Sequence, residues 1–495
     1  MINLSRRQFL AASAAVTACV RAPAVWAASG AASPSQLSIE KRSIEVAGKA
    51  ASVFGLRQPN GQSGIIANAG DRLHLSLHNK SGEAALIHWH GQTPPMAQDG
   101  VPGLSAPALE DGQSASYDFA LRPGTHWMHS HHGLQEQLLM AAPLVVREDA
   151  KADEQDVVVL LHDFSFTSPI DLLAALRNGA DSSPMHGGSA TAMPMNHMGG
   201  MMVDHSAHMS QMAKTMAASN GGAMPFGHAN DIDYDAYLAN DRTLDDPQLV
   251  KVERKGRIRL RLINGATATS FVIDTGALAA QVLSVDGNPV TPTNGSKFAL
   301  AMGQRLDLRL DIPAQGGAFP IFAQREGARE RTGIILATPG ASVVKLPATA
   351  DNAAGLVDLS LESRLSAANP LAPRPPDRRL TMVLSQVMGQ YVWTLDGQVY
   401  GQDTPISVRQ GERVEITFQN MSMMMHPMHL HGHHFQVTAI GGQPLAGAMR
   451  DTIIVPAGMG SVTVAFDADN PGQWPLHCHN LYHMAAGMMT TVRYV

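Results

Sequence analysis

The sequence predicts an all-β protein of three β-sandwich domains, and three observations carry that reading. The chain has 495 residues, about three times the usual 150 per domain, so each unit can enclose a core of its own. Only 5% of residues are aromatic and 16% charged, against 45 Gly and 30 Pro, a turn-rich balance that favours strands over helices. A pattern of alternating apolar residues also recurs: Gly70-Asp-Arg-Leu-His-Leu-Ser-Leu-His-Asn79, Gly411-Glu-Arg-Val-Glu-Ile-Thr-Phe-Gln-Asn420 and a near copy, Gly256-Arg-Ile-Arg-Leu-Arg-Leu-Ile-Asn264. Alternation marks a half-buried strand, and recurrence marks a repeated unit.

Taken in order, residues 1–27 read as a twin-arginine signal peptide. Ser5-Arg6-Arg7-Gln8-Phe9-Leu10 is followed by a small apolar stretch, Ala11 to Val20, and by a small-residue cleavage site near Val25-Trp26-Ala27. The expected partner is the twin-arginine export machinery and the expected address the periplasm. Val16-Thr17-Ala18-Cys19 also resembles a lipoprotein cleavage box, but the conventional site follows close behind, so no stable membrane anchor is expected. Cleavage removes Cys19 and leaves Cys478 alone, which excludes an intramolecular disulfide. Losing Arg6, Arg7 and Arg21 takes the formal charge from -6 to -9, a poor match to nucleic acid but compatible with cations.

The first sandwich is expected over 36–148, the second over 155–345 and the third over 375–495, the last boundary resting on the Pro-rich run Pro370 to Pro376. The second carries an insert, 182–228, rich in Met, His, Gly and Ser. It includes Met193-Pro-Met195-Asn-His-Met198-Gly-Gly-Met201-Met202 and His205-Ser-Ala-His-Met209-Ser-Gln-Met212. Such a segment is not expected to form a fixed core. Thioethers are soft ligands that suit Cu(I), so capture of that ion is the functional reading and a linker with incidental methionines the plain one.

Four His-x-His pairs carry the chemistry: His88-Trp89-His90, His129-Ser130-His131, His429-Leu430-His431 and His477-Cys478-His479. Alternate strand residues share a face, so each pair aims two imidazoles at one site while the residue between looks away. Here that residue is once a cysteine, whose thiolate can connect two metal centres through a few bonds. With His426, His483 and Met488, Cys478 makes the two-imidazole, thiolate and weak thioether set of blue copper. The eight paired imidazoles are too many for one metal and suit a cluster of three.

The repeats are in register. His88 lies nine residues past Asn79 and His429 nine past Asn420, while Pro123-Gly124 leads to His129 as Pro471-Gly472 leads to His477. In that register Ala85, Ser130 and Gln135 replace His426, Cys478 and His483, so the first domain keeps cluster ligands but no blue-copper site. Met140, matching Met488, reads as a core residue. The middle repeat has Ile273 where a paired histidine would fall, and is expected to be a spacer. The cluster should then lie between the first and third domains.

His88-Trp-His-Gly, His129-Ser-His, His426-Pro-Met-His-Leu-His-Gly and His477-Cys-His-Asn-Leu-Tyr-His-Met-Ala-Ala-Gly-Met resemble the copper motifs of multicopper oxidases, most nearly the bacterial copper-resistance oxidases of the CopA and CueO type. The resemblance implies cupredoxin-type Greek-key domains and four copper ions. It makes His426, Cys478, His483 and Met488 the type 1 ligands, and His88 and His429 the type 2 ligands. His90, His129, His131, His431, His477 and His479 would hold the type 3 pair. It places Asp99 near the cluster as a proton donor, Cys478 on the electron route, and Met424 in contact with substrate. The family usually adds an acidic residue just after the type 1 histidine, but Met484-Ala485-Ala486 follows His483, which puts proton delivery there in doubt. His126, His132, His433 and His434 match no family ligand.

The expected reaction is one-electron oxidation of Cu(I) coupled to reduction of dioxygen to water. Phenol oxidation of the laccase type is the alternative, and copper sequestration without turnover an alternative of another class.

Overall fold

Each copy of the alternating repeat becomes an interior strand of a sheet: Arg72–Lys80, Arg257–Asn264 and Arg413–Asn420. The asparagine that closes each copy does the same job three times. Asn79, Asn264 and Asn420 are fully buried. Each donates its amide N–H to two carbonyls or more, Asn79 to Glu83 and Leu109, Asn264 to Thr269 and Leu300, Asn420 to Met424 and Val455 among others. Each Oδ1 accepts the backbone N–H two residues on, at Ser81, Ala266 and Ser422. A short amide that mimics a backbone turn is what lets a strand end inside the protein with its polar groups paired. The sequence repeat is thus a repeated strand closure.

The computed structural model describes residues 35–149, 152–180 and 230–495. The signal segment 1–27 with Cys19 lies outside them, as do the insert 182–228 and its Met193, Met195, Met198, Met201, Met202, Met209 and Met212. No helix among the described residues is long and apolar enough to cross a membrane.

The strands form six sheets, two to a sandwich. In the first sandwich, the inner sheet runs Ile65–Asn68, Ala141–Arg147, Gly124–Ser130, Ile87–His90. In the third, the corresponding sheet runs Ile406–Val408, Met489–Tyr494, Gln473–Cys478, His426–Leu430 and Thr452–Val455. Each begins with a parallel pair at its edge, and the middle sandwich repeats that pairing with Leu249–Lys251 beside Arg331–Ala337. Several neighbours in the sheets, such as Arg257–Asn264 beside Arg305–Asp311 and Arg413–Asn420 beside Ser461–Asp467, are far apart in sequence, as Greek-key connections require. Short helices, Pro169–Ala180 and Leu481–Ala485, occupy connections.

The first sandwich has a core of its own, from Leu37 to Val146. The second and third do not: their buried side chains form one continuous cluster from Val157 to Val492, joined through Leu361 and Leu365 in the connecting segment. The connector packs inward there instead of crossing solvent. Glu326 helps to hold it, accepting the Val357 N–H at 2.7 Å. Burial pushes its carboxyl up to about 7. A raised carboxyl stabilises the fold fully below its unfolded value and loses that contribution as pH rises through the folded one. Glu326→Gln should therefore gain about 2–3 kcal/mol over the parent between pH 5 and pH 8. Urea midpoints of the two proteins at both pH values would show the gap widening; a gap independent of pH would exclude Glu326 as its source.

Candidate metal centre

Antiparallel pairing sets the histidine pairs against one another. Ile87–His90 pairs with Gly124–Ser130 so that His88 faces His129, and His426–Leu430 pairs with Gln473–Cys478 so that His429 faces His477. Strand alternation sends the residues between them the other way. Trp89 enters the first core against Tyr117 and Phe119, and Cys478 and Leu430 enter the third. The two sandwiches place their four pairs together, and all eight imidazoles are within stacking or edge contact of another cluster ring.

Hydrogen bonds fix which nitrogen faces inward in six of the eight rings. Nδ1 donates to a backbone carbonyl in His88 (Asp99, 2.9 Å), His129 (Ser130, 3.1 Å), His429 (Asp451, 2.8 Å) and His477 (Cys478, 2.9 Å), and in His431 to the Asp99 carboxylate (2.8 Å). A neutral imidazole with Nδ1–H has a bare lone pair on Nε2. Burial first, then neighbouring imidazoles, holds His129, His131, His431, His477 and His479 well below the usual range, so they are neutral. His90 is turned over: its Nε2 meets Asp451 at 3.1 Å and its Nδ1 faces inward.

The bare nitrogens converge in three groups. Nδ1 of His90 lies 3.4 Å from Nε2 of His129 and 3.3 Å from Nε2 of His479. Nε2 of His477 lies 3.0 Å from that of His431 and 3.4 Å from that of His131. Nε2 of His88 and of His429 are buried without a hydrogen-bond partner. Lone pairs facing one another in a dry interior repel unless a cation lies between them. Donors about 2 Å from one ion stand about 3.3 Å apart, which is the spacing here.

A separate group lies in the third sandwich. His426 Nδ1 is 3.1 Å from His483 Nδ1, and Cys478 Sγ is 3.6 and 3.7 Å from the two. Burial pushes the Cys478 thiol well above its usual range; a bound cation would deprotonate it. Met488 is fully buried, and its carbonyl accepts the Cys478 N–H at 3.1 Å. Trp393 covers the His483 ring, centroids 4.0 Å apart. In the first sandwich the matching positions are closed by a hydrogen bond, Ser130 Oγ donating to Gln135 Oε1 at 2.9 Å, and Met140 is buried in that core.

Asp99 is buried with Oδ2 on His431 and Oδ1 3.1 Å from Nδ1 of His88. Gly100 makes that approach feasible: at φ +85°, a Cβ there would overlap the Ile87 carbonyl. Met424 is half-buried and packs against the third core. Three acidic residues escaped the sequence reading. Glu136 Oε2 lies 2.9 Å from Nδ1 of His129, and burial, then Asp163, pushes its carboxyl well above the usual range. Asp451 touches His90 and His429 and is paired to the buried Arg305. Asp231 Oδ2 lies 2.8 Å from Nε2 of His483 and accepts from Tyr391 and Asn480. Burial would raise the Asp231 carboxyl, but His483 and these donors outweigh it and hold it below its usual range.

The middle sandwich supplies Arg305 and Gly303 as well as Asp231. Gly303, at φ +77°, presses so close to His479 that a Cβ would meet its ring at 2.6 Å. The middle unit, expected to be a spacer between the other two, also packs against the cluster through these residues. A sequence signal existed for Asp451, since Arg450-Asp451 heads the apolar run Ile453-Ile454-Val455, and a weaker one for Glu136, five residues past His131. Nothing in the sequence marks Asp231.

Family models described as multicopper oxidase match residues 39–151, 202–340 and 373–495, most of the chain. The protein belongs to the multicopper oxidases. It is 32% identical over 439 residues to multicopper oxidase MmcO of Mycobacterium tuberculosis, covering 87% of this chain and 81% of that one. It is 26% identical over 542 residues to copper resistance protein A of Escherichia coli, covering 86% of each. Among solved structures, the laccase from Botrytis aclada matches with a TM-score of 0.72 at 22% identity, covering 92% of this chain and 86% of that chain, which establishes the shared cupredoxin-type fold. As a multicopper oxidase the protein is a copper-dependent oxidoreductase. The bare, convergent imidazole nitrogens and the buried thiol fit copper.

Proposed function

We propose that this multicopper oxidase takes single electrons from Cu(I), reduces dioxygen to water and serves copper tolerance in the periplasm. Four copper ions would be held: type 1 by His426, Cys478, His483 and axial Met488, type 2 by His88 and His429, and the type 3 pair by His90, His129, His131, His431, His477 and His479. When bound, they supply one-electron acceptance and the four-electron, four-proton reduction of dioxygen. Cys478, flanked in sequence by His477 and His479, is the covalent bridge between the two centres. Asp99, shared between His88 and His431, would relay protons toward the cluster. Glu136 beneath His129 takes the second acidic place that Met484-Ala485-Ala486 leaves empty.

One observation carries the substrate reading. Both type 1 imidazoles are fully buried, and their outer nitrogens end on polar groups, His426 on Ser422 at 2.8 Å and His483 beside Asp231. Buried ring edges capped by polar groups leave little room for a bulky phenol, which needs an apolar recess against the ring, and suit a small donor. The Met/His-rich insert ends at His228, three residues before Asp231 in the chain, so Cu(I) gathered by its methionines would be released close to His483. The Arg6-Arg7 signal and the likeness to copper resistance protein A support the address and the physiological role.

Oxygen uptake by the copper-loaded protein, with Cu(I) and with a bulky phenol, tests this against a variant lacking Ser182 to His228. Cu(I) turnover that falls about tenfold on deletion, as expected when a tethered capture segment is lost, supports the reading. Phenol turnover alone would make the protein a laccase, and no uptake with either donor would favour sequestration. Asp99→Asn should keep its copper and colour but reduce oxygen about 100-fold more slowly; an unchanged rate would remove Asp99 from the proton route.

A further inference from the structure

Trp393 lies on none of the strands or loops that carry the mononuclear ligands. It opens the short strand Trp393–Leu395, which pairs with Arg378–Gln386 at the edge of the other sheet of the third sandwich. Strand alternation turns Trp393 and Leu395 into the core, while Thr394 shares a hydrogen bond with the Ser385 hydroxyl at 2.7 Å. The indole comes to rest against both imidazoles of the group. Its ring centroid is 4.0 Å from that of His483 with 31° between the planes, and 5.0 Å from that of His426 with 71° between them. It is nearly flat on the first ring and steeply inclined to the second. Tyr391, whose hydroxyl donates to Asp231, stands edge-on to the indole with centroids 5.8 Å apart. The backbone of Trp393 braces the loop between His483 and Met488. Its N–H donates to the Ala486 carbonyl at 3.1 Å, and its own carbonyl is so near Gly487, at φ +120°, that a Cβ there would meet it at 2.7 Å. One residue thus touches both ligand rings and the loop that joins His483 to Met488.

We infer that Trp393 is a positioning residue of the type 1 centre, which pins the imidazoles of His426 and His483, keeps water from them and so holds the reduction potential up. The inference rests on the assignment of His426, Cys478, His483 and Met488 as the type 1 ligands. Reduction by one electron lowers the positive charge of such a centre by one. A dry, apolar wall disfavours the more highly charged oxidised form, so it makes the electron easier to accept. The negative face of the indole acts in the opposite sense, toward the more positive form. With that charge shared among four ligands, exclusion of water is the larger of the two effects. Pinning acts on the rate, because rings that cannot turn leave little to rearrange when the electron arrives. A tryptophan that only filled the core would stabilise the fold and leave the potential alone.

The test uses the full, copper-loaded chain without oxygen and titrates the blue colour against a one-electron couple of known potential. Trp393→Ala opens a void with two imidazoles in its wall, wide and polar enough for water. The expected result is an equilibrium constant for reduction about tenfold smaller, a fall of about 59 mV for one electron. The electron paramagnetic resonance of the variant should also show an altered copper hyperfine coupling, since the His483 ring gains freedom. A blue variant with an unchanged or higher potential overturns the inference. Should Trp393→Ala not hold copper, Trp393→Leu decides: it is apolar but too small to cover both rings, so a fall of about threefold in the same constant is expected, and no fall overturns the inference. A parent with no blue one-electron centre would overturn the type 1 assignment, and this inference with it.

Discussion

Cys478→Ser is expected to lose the intense blue colour and the oxygen uptake together, with one copper in four missing. The colour of such a site comes from a thiolate bound to copper, and Cys478 is the single thiolate source available within the buried group of His426, His483 and Met488. A serine hydroxyl is a poor ligand for this soft site, so the mononuclear copper should be lost while the eight-histidine cluster keeps its three ions. Both effects follow from one atom because, in the proposed function, Cys478 also bridges the two centres through its sequence neighbours His477 and His479. The fold should survive: a buried hydroxyl left unpaired costs about 1–3 kcal/mol, and the Cys478 backbone keeps its bond to Met488. Absorption, copper content and oxygen uptake of the purified variant check the three statements; a variant still blue would remove Cys478 from the mononuclear site.

Arg305→Met should cost about 3–5 kcal/mol of stability, because it strips the partner from buried carboxylates. Arg305 is fully buried in the middle sandwich. It donates to Asp451 through both terminal nitrogens, to the Thr125 carbonyl of the first sandwich at 3.2 Å and to the Gly303 carbonyl at 2.9 Å. Asp286 stands 3.7 Å away and is shared with Arg450, which in turn pairs with Glu362 at 2.7 Å. One guanidinium therefore ties three sandwiches together at the point where Asp451 orients His90 and His429. The variant should unfold at lower urea and lose copper from the cluster before it loses the blue site, which lies in the third sandwich alone. Adding Asp451→Asn should recover part of the stability by removing the stranded charge, yet recover none of the cluster copper. Recovery of both would mean that Asp451 is a structural ion-pair partner and has no part in orienting the histidines.

The buried charges show where reading a sequence stops. Arg305 and Asp451 stand 146 positions apart, His90 and Asp451 361, Asn480 and Asp231 249. Period-two alternation says which face of a strand is buried, but not which face of another sandwich covers it. Ser130 and Gln135 illustrate the same limit on a small scale. Their register showed that the first sandwich lacks the thiol and histidine of the third, whereas the hydrogen bond that fills the space depends on how that strand end and the following turn pack. Glu136 looks like a surface residue of a polar Gln-Glu-Gln run until the turn folds under His129 and buries it.

By itself, the sequence determined the strand repeat that ends in asparagine, the pairing of imidazoles by alternation, and the one pair that sets a thiol, Cys478, between its two imidazoles. These are local properties, set by the pleat of a strand and the chemistry of a side chain. Only the tertiary structure decided which ring nitrogen faces the cluster, which carboxylates touch it, and that the middle sandwich closes it with Arg305, Gly303 and Asp231. The reason is physical: burial of a charge or a bare lone pair is tolerable only where distant segments bring its partner, and that meeting is a property of the packed whole.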